Sequence, residues 1–245
     1  MTRRTGWVDP QRLGRPEHTG LRTAYAHTIP SHVRLDVPAE VYDQAAVGSC
    51  VAQALACAVE VVAPRAGYAP ERPDRTVLYY LCRRSIGTVS EDSGAIIADG
   101  LEVLRGGWTP ELTPPSTQWD ESYTAEPPRR RGDEPRVVSA EPLAHDVDTV
   151  LWELACGHPV VVGLRITEQW DRPGEVIGAP SGEVVGGHAV CLAGYQRDAG
   201  GTQVRVRNSW GTAWADSGEA WLDAAWLSLG HCGELHAIRA IRRTP

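Results

Sequence analysis

Cys50 opens a long apolar run and is preceded by Gly48-Ser49. A thiol in the first turn of a helix faces the positive end of the helix dipole, which favours the nucleophilic thiolate. A glycine beside it lets a substrate approach closely. A lone cysteine is more often a buried core residue, so its meaning depends on what else the chain supplies. Acyl chemistry by a thiolate needs a histidine to carry the proton and an acceptor to orient that histidine. His188 follows Gly186-Gly187 at the start of one predicted strand, and Asn208 ends the next. With the turn centred on Asp198 to Gly201, His188 falls opposite residues 209–212, within a few residues of Asn208. Gln44 stands six residues before Cys50. Its amide and the Cys50 N–H can donate together to an oxyanion, each such donor contributing typically about 3 kcal/mol in a transition state. Trp210 is placed to cover the His–Asn hydrogen bond from water.

These residues need elements to hold them. Cys50–Val62 is Ala-rich, has Ser49 as a candidate cap and is closed by Pro64, so it is expected as a helix. Past its first residue only Gln53 and Glu60 are polar, seven apart on one narrow stripe, which makes it a central helix rather than a surface one. Further helices are expected over 74–85, 94–105 and 146–156. The stretch 109–141 is dense in proline and carries Arg129-Arg130-Arg131, which reads as a connecting segment at the lobe boundary. Strands are expected over 160–166, 188–195 and 204–208. The organisation is therefore an arm over residues 1–29, a mainly helical lobe over 30–128 that bears the thiol, and a β lobe over 129–245 that bears the histidine and asparagine. The arm is polar, without periodicity, and is read as irregular.

Composition removes several alternatives. The 245 residues suffice for one two-lobed domain, and a formal net charge of −7 argues against nucleic acid or an anionic membrane as partner. No stretch approaches the roughly 18–20 apolar residues of a membrane span. No apolar core follows the N-terminal arginines, so no secretory signal is read. The six cysteines are then expected as reduced thiols, and the cytoplasm as the location. All 24 cationic side chains are arginine, which codon bias explains without function. Arg131-Gly132-Asp133 is discounted as an adhesion signal, and His231-Cys232 with His236 fits no common zinc spacing. No metal or cofactor is expected.

Asp43-Gln44 with Gly48-Ser49-Cys50, Gly187-His188-Ala189-Val190 and Asn208-Ser209-Trp210-Gly211 together resemble the papain (C1) family of cysteine peptidases. The 138 positions from Cys50 to His188 lie in the range of about 130–150 usual for papain-like enzymes. The resemblance spans roughly residues 30–240, including Asp92-Ser93-Gly94 and Pro159 to Gly163. It implies an α+β fold of two lobes, a helical left lobe with the central Cys-bearing helix and a right lobe with an antiparallel β-barrel. It implies Cys50 as nucleophile, His188 as acid and base, Asn208 as orienting residue and Gln44 in the oxyanion hole, with Ser49 and Trp210 in support. Gly94 resembles the glycine whose backbone pairs with an extended substrate. Gly163 and Gly187 fall where the family lines its S2 pocket; with Gly186 they predict a roomy pocket, or one walled by the 167–182 loop. Val51 and Val47 replace an aromatic residue and a disulfide cysteine of papain, and the short arm does not resemble an inhibitory propeptide.

The function expected is hydrolysis of peptide bonds in a peptide or protein substrate through a thioester. The same acyl-enzyme serves an acyltransferase, ligase, cyclase or amidase if an amine replaces water. A catalytically silent binding domain is the third reading. Oligomeric state is not legible.

Overall fold

The computed structural model describes residues 5–15, 29–37, 40–68, 72–129, 134–171, 173–228 and 230–243. Arg130, the Arg131-Gly132-Asp133 tripeptide and part of the N-terminal arm lie outside them. The elements, in chain order, are β1 (His32–Arg34), α1 (Cys50–Val62), α2 (Arg75–Ser85), α3 (Ile97–Arg105), β2 (Pro135–Pro142), α4 (Val147–Ala155), β3 (Val160–Thr167), β4 (Val176–Ile177), β5 (Val184–Asp198), β6 (Gly201–Arg207), β7 (Glu219–Asp223) and β8 (Cys232–Arg243).

α1 has the bounds its composition predicts, and every one of its residues is buried. Its polar stripe is buried too, because the partners come from α2 and its approach: Arg75 donates to Gln53 at 2.6 Å, and Arg72 donates to Glu60 at 3.1 Å. Ser49, expected to cap α1, does not; its hydroxyl accepts from the Gln53 side chain at 3.0 Å instead. α2 is capped as anticipated by Asp74, whose carboxylate accepts from Thr76 and Val77 N–H. The helix expected from residue 94 begins at Ile97. Gly94 sits at φ +80°, outside helical space for most residues, and Ala95 has its backbone paired elsewhere.

The strands run in the order β2-β8-β3-β5-β6-β7-β4, with β1 added on β5. Every neighbouring pair is antiparallel except β4 with β7. The path is open, so the barrel expected for the right lobe is a mixed sheet that does not close among the described residues. β2 lies within the proline-dense stretch read as a connection. Its prolines stand at its first and last residues and it pairs only with β8, the edge position where a strand tolerates them.

Two apolar cores follow from this arrangement. One gathers α1, α2 and α3 with inward residues of β2 and β8, such as Val137 and Ile241. The other fills the sheet and α4 and is dominated by Trp170, Trp210, Trp214 and Trp226. β5 is shared between them. Ala189 and Cys191 face the helical core, and Val190 and Leu192, on the alternate face, enter the sheet core. The start of β5 is thereby held against α1.

Candidate active site

The N-terminus of α1 meets the start of β5. Ala189, the residue after His188, donates its N–H to Cys50 Sγ at 3.4 Å. His188 Nε2 lies 2.8 Å from Asn208 Oδ1, which also accepts the N–H of Ser209 at 2.8 Å. Because Oδ1 is an acceptor, the imidazole proton sits on Nε2. That leaves Nδ1, buried and without a hydrogen-bond partner, as the basic nitrogen. The hydrogen bond forms although the hairpin register is irregular. Cys191 pairs with Arg207 and Leu192 with Val206, but Tyr195 pairs with Val204, so an extra residue of β5 bulges between them.

Trp210 stacks on the imidazole at 4.5 Å between centroids and 27° between planes, while Trp170 approaches it edge-on at 5.9 Å. The His–Asn pair is buried beneath Trp210. Gln44 is buried. Its side-chain nitrogen donates to the Val47 carbonyl at 2.8 Å, and its oxygen accepts from Ser209 Oγ at 2.7 Å. Its backbone N–H also donates to Ser209 O at 2.9 Å, so the loop before Cys50 and the loop after Asn208 are one unit. Asp92 secures the other side. Its carboxylate accepts from Gly48 N–H at 2.9 Å and from Tyr79 hydroxyl at 2.6 Å, and that hydroxyl accepts from Gly94 N–H at 3.0 Å.

The backbone paired across the trough is that of Ala95, the residue after Gly94. Its N–H and C=O are both engaged by another segment, while the Gly94 N–H is spent on Tyr79. The occupant of those groups is the N-terminal arm. Ala95 N–H donates to Gly6 O at 2.7 Å, Val8 N–H to Ala95 O at 2.9 Å, and Trp7 N–H to Gly187 O at 3.0 Å. Gly6 lies so close over the loop before Cys50 that a Cβ on it would fall 1.9 Å from Gly48 O. Trp7 is 4% exposed, with its indole over Gly163, Gly187 and Gly233. Asp9, buried, pairs with Arg165 on β3, and Arg15 reaches Asp99 on α3 at 2.6 Å. Within the arm, the described residues 5–9 thus form an extended strap along the cleft, followed by a 3-10 turn over Pro10–Leu13. Short length did not prevent this, since Thr5–Val8 alone spans the trough beside Cys50.

The strap sets the electrostatics. Cys50 and His188 are fully buried. Burial pushes the Cys50 thiol up to about 12, against hydrogen bonding from the backbone of Ala189 and Gly6 that pulls it down. Burial likewise pushes His188 down to about 4, with the Asn208 hydrogen bond opposing. The helix-dipole argument for a thiolate is outweighed here by desolvation, and the covered site holds a neutral thiol beside a neutral imidazole. No group of three or more His, Cys, Asp or Glu able to hold a metal occurs among the described residues.

Sequence reasoning did not find Trp7, Ala95 or Glu234. A lone Trp in a polar arm carries no periodicity, and Glu234 acquires its meaning only from what β8 brings it to.

The chain is similar to known proteins in sequence and in fold. Residues 122–234 match the model of the papain family cysteine proteases, a stretch that includes His188 and Asn208 and stops short of Cys50. The fold resembles xylellain, a cysteine protease from Xylella fastidiosa, at 26% identity and TM-score 0.79, covering 99% of both chains. It also resembles the proform of the Amb a 11 cysteine protease of ragweed pollen, at 19% identity and TM-score 0.71, over 96% of this chain and 74% of that one. A curated relative, an uncharacterized peptidase C1-like protein of Acanthamoeba polyphaga mimivirus, is 25% identical over 198 residues. That match covers 72% of this chain, and the chain spans about three fifths (61%) of the relative's length. No helix among the described residues is long and apolar enough to cross a membrane.

Proposed function

We propose that this chain, which is similar to the papain family of cysteine proteases, hydrolyses peptide bonds by way of a thioester on Cys50. His188 Nδ1 takes the thiol proton as Cys50 Sγ attacks the scissile carbonyl. The resulting imidazolium gives that proton to the leaving amine, and the C–N bond breaks to leave the acyl group on sulfur. Water, deprotonated by the same nitrogen, then releases the acid and restores the thiol. Asn208 holds the imidazole in the tautomer that leaves Nδ1 basic. Gln44 and the Cys50 N–H receive the oxyanion.

The observation that carries the reading is the His188–Asn208 hydrogen bond under Trp210, with a buried, unpartnered Nδ1 on the opposite edge of the ring. Unpaired buried nitrogens are rare unless they have work to do. The neutral covered pair belongs to the strapped form, and chemistry requires Thr5–Val8 to leave the trough so that water and substrate reach it.

A thiol-directed irreversible inhibitor tests this. In Trp7→Ala, Cys50 is expected to be labelled far faster than the other five thiols, and His188→Ala added to it removes that advantage. Uniform slow labelling sinks the proposal. Mass spectrometry of peptide products with and without added amine separates hydrolysis from acyl transfer; acid as the product in both samples supports the hydrolase.

A further inference from the structure

The trough beside Cys50 has two walls. One is the loop that ends at Ser49, whose Gly48 O lies against Gly6; the other is the edge at Ala95, whose N–H and C=O are engaged by Gly6 and Val8. Both lie outside the helices and the named strands. Their separation is therefore set by side chains rather than by a ladder of backbone bonds.

A carboxylate and a phenol supply the connection. Asp92 Oδ1 accepts from Gly48 N–H at 2.9 Å and from the Tyr79 hydroxyl at 2.6 Å, and that hydroxyl accepts from Gly94 N–H at 3.0 Å. The bonds run from Gly94 through Tyr79 and Asp92 to Gly48, from one wall to the other. Burial, with Asp92 as neighbour, pushes the Tyr79 phenol up, so its proton stays in place for the carboxylate.

The pair is itself held still. Tyr79, on α2, is fully buried; Arg83, one turn on, lies over its ring at 4.2 Å, and Trp119 and Tyr123 meet the ring edge-on. Glycine is needed opposite it, because a Cβ on Gly48 would stand 3.0 Å from Asp92 Oδ1 and 3.3 Å from the Tyr79 hydroxyl. Beyond Ala95 the wall is tied to β8. Glu234 accepts from Ile97 N–H and Ala98 N–H, each at 3.1 Å, and from the Trp7 indole at 2.7 Å. The Ala95 edge is thus anchored on both sides, by Tyr79 before it and by Glu234 after it.

Resting on the peptidase reading, we infer that Asp92 and Tyr79 are positioning residues, which set the register between the Ala95 edge, along which an extended peptide lies, and the loop that presents the Cys50 thiol. Neither touches the reacting atoms. A peptide paired with Ala95 meets Cys50 in line only while the two walls keep their spacing, and small errors of placement cost rate steeply. A substrate too short to reach Ala95 is indifferent to that spacing. The shortest bonds to Asp92 both fall on Oδ1, which the carbonyl of an asparagine can reproduce.

Substrate length tests this. In the full chain carrying Trp7→Ala, kcat/KM is measured for fluorescein-labelled casein and for 4-nitrophenyl acetate, the latter after subtraction of the rate in Cys50→Ser. Adding Tyr79→Phe, which keeps the ring under Arg83, is expected to lower the casein value about 3- to 10-fold, the range for a neutral hydrogen bond. Asp92→Ala should lower it about 10- to 100-fold, the range for a bond to a charged group, with the ester value within about twofold in both variants. Asp92→Asn should stay within about threefold on both substrates. Asp92→Ala combined with Tyr79→Phe should lose no more than Asp92→Ala alone, because either change severs the same chain of bonds. Equal losses on casein and ester, additive losses in the double variant, or a loss in Asp92→Asn as large as in Asp92→Ala overturns the inference. If Asp92→Ala lacks a native circular dichroism spectrum, Tyr79→Phe and Asp92→Asn carry the same comparison. A second arm needs no turnover. With Trp7 intact the strap itself reports the spacing, so alkylation of Cys50 should be at least about threefold faster in Tyr79→Phe and unchanged in Asp92→Asn. A wild-type rate in Tyr79→Phe overturns the inference. Turnover of neither substrate by the Trp7→Ala chain counts against the peptidase reading, and the alkylation rates then decide by themselves whether Asp92 and Tyr79 hold the walls.

Discussion

The N–H of Trp7 donates to the carbonyl of Gly187 at 3.0 Å, so the arm is bonded to the peptide unit that immediately precedes His188. The arm and the start of β5 at His188 are thereby tied by a backbone hydrogen bond. Removing the indole should therefore uncover the thiol. Trp-to-Ala truncation in a packed site costs about 3–5 kcal/mol. Trp7→Ala is expected to raise the rate of Cys50 alkylation by about 100-fold or more. Peptide mapping after iodoacetamide treatment measures it, and an unchanged rate means the strap does not limit access.

Gly163→Ala tests the pocket floor from below. The new methyl group belongs 2.3 Å from an indole carbon, so it must displace Trp7. Alanine is acceptable in a strand, and Gly163 has buried neighbours that already order β3. The expected result is faster Cys50 alkylation, as in Trp7→Ala, with a native circular dichroism spectrum. Slow labelling together with a native spectrum contradicts the placement of the ring.

Asn208→Ala should damage chemistry more than binding. It removes the Oδ1 that accepts from His188 and from Ser209 N–H. Loss of a hydrogen bond to a ring that becomes charged is worth about 1.5–3 kcal/mol, so kcat in the Trp7→Ala background should fall about 10- to 100-fold with KM nearly constant. A rise in KM alone would assign Asn208 to substrate binding.

Gln44→Ala is expected to lower kcat about 100- to 1000-fold, the usual cost of one oxyanion donor. The hydroxyl of Ser209 loses its acceptor as well. Steady-state kinetics in the Trp7→Ala background measures the effect, and a loss below about fivefold would remove Gln44 from the oxyanion hole.

Acid should loosen the strap. His188 is held down to about 4 by burial, against about 6.5 when exposed. As pH falls from about 6.5 to 4, an open or unfolded state binds a proton that the covered state does not, so the covered state loses up to about 3 kcal/mol. At the alkaline end Cys50, pushed up to about 12, has the opposite linkage, and stability falls as pH rises above about 9. Hydrogen exchange of the Trp7 amide should accelerate over the acid window beyond its intrinsic pH dependence. In His188→Gln that excess should vanish, and its persistence would locate the titration elsewhere.

Much of the candidate site is legible in the chain because it rests on local rules and on spacing. α1 begins at Cys50 and ends at Val62 as alanine content and Pro64 dictate. His188 and Asn208 meet because a hairpin turn near Asp198 to Gly201 fixes their approximate register, and an imidazole and an amide have the reach to absorb the bulge between Leu192 and Tyr195. β2 was hidden because proline density argues against a strand unless that strand is an edge, and edge status is a property of the sheet. Ser49 has the right chemistry for a cap, yet Gln53, one turn on, claims its hydroxyl.

The sequence by itself determined which side chains exist to do acyl chemistry, their order, and the helix and hairpin that carry them, since propensity, capping residues and turn chemistry act over a few neighbours. Only the tertiary structure decided that a polar arm of the chain lies in the cleft, that Glu234 meets Trp7 across 227 positions, and that the Cys50–His188 pair is neutral while covered. Those outcomes depend on burial and on contacts between distant strands. Desolvation in particular is set by everything that packs around a group, and no local pattern encodes it.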